Sequence, residues 1–244
     1  MRTAGRILLT VGVMTLVVAS ATIGRADDAD EPQRHSSVTL YGGLFGNKDY
    51  VQAWEGVSAS IGVLPRLALL GRITGIHVID SDRFREGSSG IGEGGLGFTI
   101  ARNTSISVLG GTYFGDIDDP IIDGSFDTAV LFGDRWVSFS AGGLYGFSSN
   151  RWQATGYVAT PVTDPHNDLT LFAGADTIIY NEGRFRSRDG NDFVHNPNSE
   201  DVKFQAGPNL TLYMRPWEAG LRLGVGGGDY GVYGTGSIWK TFSF

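Results

Sequence analysis

The sequence predicts an all-β protein that folds as a closed antiparallel up-and-down transmembrane β-barrel of about twelve strands. Polar and apolar residues alternate with a period of two in many segments, as expected for strands with two chemically different faces. Glycine accounts for 37 of 244 residues and charged residues for 18 %, which favours curved sheets and turns over helices. Beyond residues 1–26, no segment approaches the roughly 18 uncharged apolar residues of a membrane-spanning helix, so any crossing must use strands.

The N-terminal segment has the features of a signal peptide. Arg2 and Arg6 precede the apolar run 7–18, and the small residues around Ala26 fit cleavage after that position, with 19–21 as an alternative site. We expect residues 1–26 to direct export through the inner membrane and the acidic residues 27–36 to form a short periplasmic leader. The barrel is then expected to span residues 37–244. The chain has no cysteine, so its stability does not depend on disulfides.

Alternation along the chain places twelve strands. In the clearest of them, residues such as Phe204 and Leu212 alternate with Lys203 and Gln205. The predicted strands are 38–46, 50–63, 67–79, 91–100, 104–114, 126–132, 136–147, 151–160, 169–180, 202–214, 217–225 and 230–244. A tilted strand of ~9 to 11 residues crosses a bilayer, so the chain is long enough for twelve. The weakest is 126–132, because it contains Asp127; without it the count falls to ten.

The connections between these strands alternate in length. Short turns are predicted at 64–66, 101–103, 133–135 and 215–216, with a longer one at 161–168, while the opposite end carries longer or more charged loops such as 80–90, 115–125 and 181–201. Outer-membrane barrels place short turns in the periplasm and long loops outside, and an even strand number leaves both termini in the periplasm. The predicted topology satisfies both conditions.

Charged residues at mid-strand positions favour a membrane barrel over a soluble one. The predicted polar face carries Arg72, Glu93, Asp176, Lys203, Glu218 and Arg222. The dry core of a soluble barrel would not tolerate these charges unpaired, whereas a membrane barrel turns its apolar face to lipid and its polar face to the lumen. We expect the six residues to line the lumen, either as a structural ion-pair network or as a constriction that selects solutes by charge.

The C-terminal segment 230–244 resembles the last strand of bacterial outer-membrane proteins, which ends in phenylalanine after apolar residues at alternate positions. Ile238, Phe242 and Phe244 match this pattern; Lys240 departs from it, so we expect Lys240 to extend toward the interface or the face assignment to shift there. The resemblance implies a porin-like outer-membrane β-barrel protein, surrounded by outer-membrane lipids and lipopolysaccharide. It also implies insertion by the barrel assembly machinery, with Phe242 and Phe244 as its signal, and identifies no functional subfamily.

Several aromatic residues fall on the predicted lumen face. They are Trp54, Trp136, Tyr157, Phe172 and Tyr213, with Tyr180 and Trp239 in the same register. Sugar rings stack on aromatic faces next to charged groups, although interior packing and interfacial girdles also account for such residues. We therefore expect a monomeric passive channel for small solutes, with sugars as candidates. The alternative is a structural or surface-interaction barrel with a closed lumen.

A lipid-modifying enzyme is the third hypothesis, and the sequence does not favour enzymatic function. A lipid hydrolase or acyltransferase would need a nucleophile beside a base. His77, at the outer end of its strand, is the candidate base, and Ser81 and Ser88 follow it, but no spacing selects a pair.

No metal, cofactor or nucleic acid is expected. The acidic segment 116–120 with Asp123 lacks the glycine and terminal glutamate of an EF-hand, so we expect a solvated loop there. A net charge of −7 offers no basic surface for nucleic acid. The loop 183–199 either extends a hairpin outward or folds into the lumen as a constriction, and the sequence favours neither.

Overall fold

The computed structural model describes residues 36–48, 50–81, 87–114, 119–133, 135–181, 185–186, 193–194, 201–229 and 231–244. Twelve antiparallel strands close into one barrel, which confirms the predicted fold class and strand count. The barrel strands are β1 (Ser37–Asn47), β2 (Tyr50–Leu64), β3 (Leu67–Ser81), β4 (Gly87–Ala101), β5 (Thr104–Phe114), β6 (Asp119–Phe132), β7 (Arg135–Gly146), β8 (Arg151–Pro161), β9 (Leu169–Tyr180), β12 (Lys203–Met214), β13 (Ala219–Gly228) and β14 (Gly231–Ser243).

Each barrel strand pairs with its neighbours in sequence, and β14 closes the barrel against β1. Between β9 and β12 a two-residue pair, β10 (Phe185–Arg186) and β11 (Phe193–Val194), forms a separate small sheet in the predicted loop 183–199. The predicted signal peptide and nearly all of the predicted leader lie outside the described residues. Among the residues described, no helix is long and apolar enough to cross a membrane.

The two ends of the barrel differ. The first barrel strand starts and the last one finishes at the same end, which we call the terminal end, because Ser37 of β1 pairs with Ser243 of β14. Its connections are mostly short, whereas the other end, the loop end, carries the small β10–β11 sheet. This is the arrangement that the alternating loop lengths predict.

The sixth strand is longer than the sequence predicted. β6 begins at Asp119, so the acidic loop is shorter than expected, and Asp123 lies in the strand with its side chain in the lumen. Residues 116–118 lie outside the described part of the chain. Asp127, the reason for doubting this strand, also faces the lumen, where its carboxylate accepts hydrogen bonds from Ser140 Oγ at 2.6 Å and Ser125 Oγ at 3.4 Å. The expectation of a solvated loop at Asp123 is therefore wrong.

The outward face of the barrel is apolar along most of every strand. Large apolar side chains such as Ile73 on β3 and Ile238 on β14 are 63 % and 62 % exposed. The inward face is different, because most of its side chains are buried and many of them are polar. This distribution suits a barrel surrounded by hydrocarbon, in which closure satisfies the backbone groups of every strand.

Candidate functional site

Buried apolar side chains cluster in the lumen near the loop end, and we call them the lumenal cluster. Its buried members are Phe45, Trp54, Ile76, Ile91, Tyr113, Ile121, Leu144 and Tyr233. They come from β14 and from β1 to β7, a continuous arc of the wall. Phe45 stacks on Tyr233 with ring centroids 5.3 Å apart, and the Tyr113 hydroxyl lies 2.9 Å from Ser89 Oγ. The inward face is thus more apolar at this end than the sequence predicted.

Toward the terminal end, a charged network follows the lumenal cluster. Arg72 on β3 donates from Nε to Glu93 Oε2 on β4 at 2.6 Å, and its Nη2 donates to Asp123 Oδ2 on β6 at 2.5 Å. The two carboxylate side chains are 0 % and 2 % exposed, so one guanidinium forms ion pairs with two buried carboxyl groups. Gly111 on β5 leaves room for the Glu93 side chain, because an added Cβ at this position would lie 2.7 Å from Glu93 Cγ.

A second charged group lies on the opposite wall. Arg222 Nη1 on β13 lies 3.5 Å from Asp176 Oδ1 on β9. Asp176 Oδ2 accepts a hydrogen bond from Asn209 Nδ2 at 2.6 Å. The guanidinium stacks over the Tyr157 ring at 4.2 Å and donates from Nε to Thr211 Oγ1 at 3.2 Å. Asp176 and Arg222 keep 19 % and 15 % of their side-chain surface accessible. This wall is therefore less tightly filled than the wall at the lumenal cluster.

The predicted lumen aromatics all lie on inward-facing strand positions, but at different levels. Trp54 is buried in the lumenal cluster, and Tyr157 is covered by Arg222. Trp136, Phe172 and Tyr213 follow toward the terminal end, where Phe172 and Tyr213 lie on the paired strands β9 and β12. The rings are thus distributed over several layers of the lumen.

The structure brings His77 and Ser88 together on the outer face of the barrel. The two residues are directly opposite each other on β3 and β4, and His77 Nδ1 lies 2.8 Å from Ser88 Oγ. The other ring nitrogen, Nε2, lies 2.7 Å from Glu55 Oε1 on β2. The sequence pattern placed His77 correctly at the outer end of its strand but gave no reason to connect it to Glu55.

Comparison with known proteins rests on structure. No known family model and no curated protein matches the sequence. An outer membrane channel from Pseudomonas putida F1 aligns over 89 % of this chain and 100 % of its own, with 11 % identity and a TM-score of 0.50. LpxR from Salmonella typhimurium aligns over 83 % of this chain and 99 % of its own, with 10 % identity and a TM-score of 0.54.

This chain has the fold of bacterial outer-membrane β-barrel proteins. At such low identity the likeness concerns the fold, and the site must be judged from the residues of this chain.

The terminal end of this outer-membrane barrel holds the residue that departs most from its predicted place. Glu218 was expected within a strand, but it follows a 3-10 turn, Arg215–Trp217, in a left-handed conformation with φ 45°. Pro216 interrupts the strand because it has no backbone N–H to donate. The Glu218 carboxylate accepts a hydrogen bond from Ser243 Oγ at 2.8 Å, and the carboxylate beside Arg222 belongs to Asp176 instead.

The remaining predicted residues lie near the ends of the outer-membrane barrel. Lys203 is the first residue of β12 at the loop end, 3.9 Å from the Asp201 carboxylate. Lys240 is on the outer face beside Phe242, and its Nζ donates to the Trp217 carbonyl in the terminal-end turn, as expected for an extended, snorkelling side chain. Phe244 is 77 % exposed at the end of the chain.

Proposed function

We propose that the protein is an outer-membrane barrel whose lumen is closed to solutes and which acts at its outer surface. The observation that supports this is the lumenal cluster. Side chains that line an open aqueous channel contact water, whereas Ile76 and Ile91 are only 2 % and 1 % exposed here. The Arg72 network adds a second filled layer beneath the cluster. The barrel closes within one chain, which supports a monomer.

Two of the predicted sugar-binding rings already have partners. Trp54 packs in the lumenal cluster, and Arg222 covers one face of the Tyr157 ring. Outer-leaflet lipid and lipopolysaccharide are therefore better candidate partners than a lumenal sugar, because they contact the outward face.

Conductance across planar bilayers tests closure. We expect the folded wild type to give no unitary current steps, and the double variant Trp54→Ala/Ile76→Ala to conduct because it opens the lumenal cluster. The matched control is Val57→Ala, which truncates an outward side chain of β2 that is 44 % exposed. This variant should not conduct. Reproducible current steps from the wild type would contradict the proposal.

A narrow ion channel is the second candidate function. The partial accessibility of Asp176 and Arg222 supports a thin polar path along β8, β9, β12 and β13, beside the lumenal cluster. If the wild type conducts, Arg222→Gln should shift the selectivity between cations and anions, because it removes a positive charge from that path. Unchanged selectivity would show that the current passes elsewhere.

A further inference from the structure

Three polar side chains from adjacent strands form a continuous hydrogen-bonded row on the outer face near the loop end. They are Glu55 on β2, His77 on β3 and Ser88 on β4, and we call them the outer-face triad. The imidazole lies between the other two, with Nε2 2.7 Å from Glu55 Oε1 and Nδ1 2.8 Å from Ser88 Oγ. The Glu55 and His77 side chains are 61 % and 40 % exposed, so the row is open to the surroundings of the barrel.

The outer-face triad interrupts an apolar surface. On β3, Ile73 and Ile79 flank His77 on both sides along the strand, and they are 63 % and 53 % exposed. Phe114 on β5 lies beyond Ser88 and covers Gly90. An ionisable side chain on the lipid-facing surface of a barrel is costly, and one that persists there marks a functional site.

Other outward charges do not share this position. Where side chains are described, the remaining charged residues on the outer face of the barrel strands are Arg135 and Lys240, and both lie close to the terminal end. Charges there reach the interface easily. Glu55, the sixth residue of β2, lies further from its strand end than these two residues do from theirs, and its carboxylate contacts His77.

Gly75, beside the outer-face triad, has no side chain and leaves space for the Glu55 carboxylate. An added Cβ at Gly75 on β3 would lie 2.7 Å from Glu55 Oε1 and 3.6 Å from His77 Nε2. The first distance is too short for a side-chain carbon, so any residue with a Cβ at this position would push the carboxylate off the histidine. Gly75 therefore permits the contact between Glu55 and His77.

The hydrogen bonds define how the imidazole can act. An ionised carboxylate only accepts hydrogen bonds, so Glu55 holds the ring proton on Nε2. Nδ1 then carries a lone pair directed at Ser88 and can accept the hydroxyl proton. A nucleophile, a base and a carboxylate that orients the base are the parts of a serine hydrolase site, recognised by geometry rather than by sequence order.

We propose that the outer-face triad is a serine esterase site for ester-linked acyl chains of membrane lipids. This inference deepens, and rests on, the proposal that the protein acts at its outer surface. The exposed apolar side chains around the triad would hold the acyl chain of a lipid in the outer leaflet, with its ester group level with Ser88.

The reaction proceeds in two balanced steps. Ser88 Oγ bonds to the acyl carbonyl carbon while its proton passes to His77 Nδ1; the bond from that carbon to the alcohol oxygen breaks, and the alcohol leaves with the proton. Water then attacks the acyl-serine with His77 as base, which releases the fatty acid and restores Ser88. Glu55 acts through His77 and is a positioning residue.

Covalent labelling tests the nucleophile without requiring the natural lipid. The folded full-length protein in detergent micelles is treated with a long-chain alkyl fluorophosphonate, and the modified peptide is located by mass spectrometry. We expect one adduct, on Ser88, and no labelling of Ser88→Ala. The matched control is Ser89→Ala, because Ser89 is the next residue on β4 and hydrogen-bonds inward to Tyr113. An adduct on another serine, or none, would overturn the proposal.

Release of fatty acid from phosphatidylethanolamine vesicles tests turnover. His77→Ala should lower kcat by roughly 10²- to 10⁴-fold, the usual contribution of a general base. Glu55→Gln and Gly75→Ala should lower kcat and leave KM unchanged, because they disturb the orientation of His77 and not the binding of the acyl chain. Equal release by Ser88→Ala and the wild type would refute the esterase.

The two proposals fail in different ways. If the wild type conducts and is labelled at Ser88, the closed-lumen proposal is contradicted and the esterase proposal is supported. If the wild type does not conduct and Ser88 is not labelled, the closed-lumen proposal is supported and the esterase proposal is contradicted. Heat-modifiable migration of each variant on gels shows that a loss of labelling does not reflect an unfolded barrel.

Discussion

Arg72 on β3 reaches Asp123 on β6 across two intervening strands, with 2.5 Å between Nη2 and Oδ2. The same guanidinium also pairs with Glu93 on β4. This single side chain therefore links β3 to β4 and, across β5, to β6. The lumen is therefore held from inside by ion pairs as well as by the backbone ladder.

Removal of this arginine should strongly destabilise the barrel. Arg72→Met leaves Glu93 and Asp123 buried without their cation, which is expected to cost about 3 to 5 kcal/mol of unfolding free energy. Urea unfolding in detergent micelles, followed by tryptophan fluorescence, measures the loss. Arg135→Met, at the exposed start of β7, is the control and should change stability by less than about 0.5 kcal/mol. Restored stability is expected when Glu93→Gln and Asp123→Asn are added; no recovery would argue against the ion-pair explanation.

Two adjacent glycines of β5 should respond in opposite directions to alanine. At Gly111 an added Cβ would lie 2.1 Å from the Gly92 carbonyl oxygen and 2.7 Å from Glu93 Cγ. Gly111→Ala should therefore destabilise the barrel by about 1 to 3 kcal/mol. At Gly110 the Cβ meets nothing within 4 Å, so Gly110→Ala should stabilise it by about 0.4 to 1 kcal/mol. The same unfolding assay compares both variants, and equal effects would contradict the packing described for the inner face.

Asp119 should anchor the turn between β7 and β8. Its Oδ1 accepts the backbone N–H groups of Ser148 at 2.7 Å and Ser149 at 3.4 Å, and its Oδ2 accepts the Ser149 hydroxyl. Asp119→Ala is expected to cost about 1.5 to 3 kcal/mol, because it removes buried hydrogen bonds to a charged acceptor. Limited proteolysis should show faster cleavage between residues 147 and 150.

A carboxylate at the opposite end provides the comparison for Asp119. In the described residues, the Asp164 carboxylate accepts an exposed hydrogen bond from the His166 backbone N–H at 2.9 Å. Asp164→Ala should therefore leave stability within about 0.5 kcal/mol of the wild type. A comparable loss in both variants would mean that burial of the acceptor does not matter.

Phe244 should matter for assembly more than for stability. Its side chain is 77 % exposed, while its backbone N–H donates to the Ser36 carbonyl at 2.9 Å and does not depend on the ring. We expect Phe244→Ala to lower the amount of folded protein in the outer membrane of cells. Unfolding of the refolded protein should change by less than about 0.5 kcal/mol. Val232→Ala, on the same outward face but outside the matched positions, is the control; equal assembly of all three proteins would remove the proposed signal.

The strand pattern could be read from the sequence wherever both faces were chemically distinct. The segment 126–132 was uncertain because Asp127 interrupts its apolar residues, and two serine hydroxyls that satisfy this carboxylate come from β6 itself and from β7. Glu218 was misplaced because the turn predicted at 215–216 continues as a 3-10 turn through Trp217, so that β13 begins only at Ala219. Both differences arise where a local interaction outweighs the period-two pattern.

The side chains that contact each site residue could not be predicted from the sequence. Glu55, His77 and Ser88 are far apart in sequence and meet because three strands pair in one register. The β2–β3 ladder contains a register shift between Val51 and Gln52, near the loop end, that no alternation reveals. A slip of one residue would turn every side chain of a strand to the other face.

By itself the sequence determined that this chain forms a barrel with an apolar exterior, because alternation is a property of consecutive residues. Tertiary structure alone decided that apolar side chains cluster on one arc of the lumen and that Arg72 joins β3 to β6, because these contacts cross strands. It also decided that His77 lies on the outer face between Glu55 and Ser88. The physical reason is that a strand's faces follow from local geometry, whereas its lateral partners follow from how the whole barrel closes.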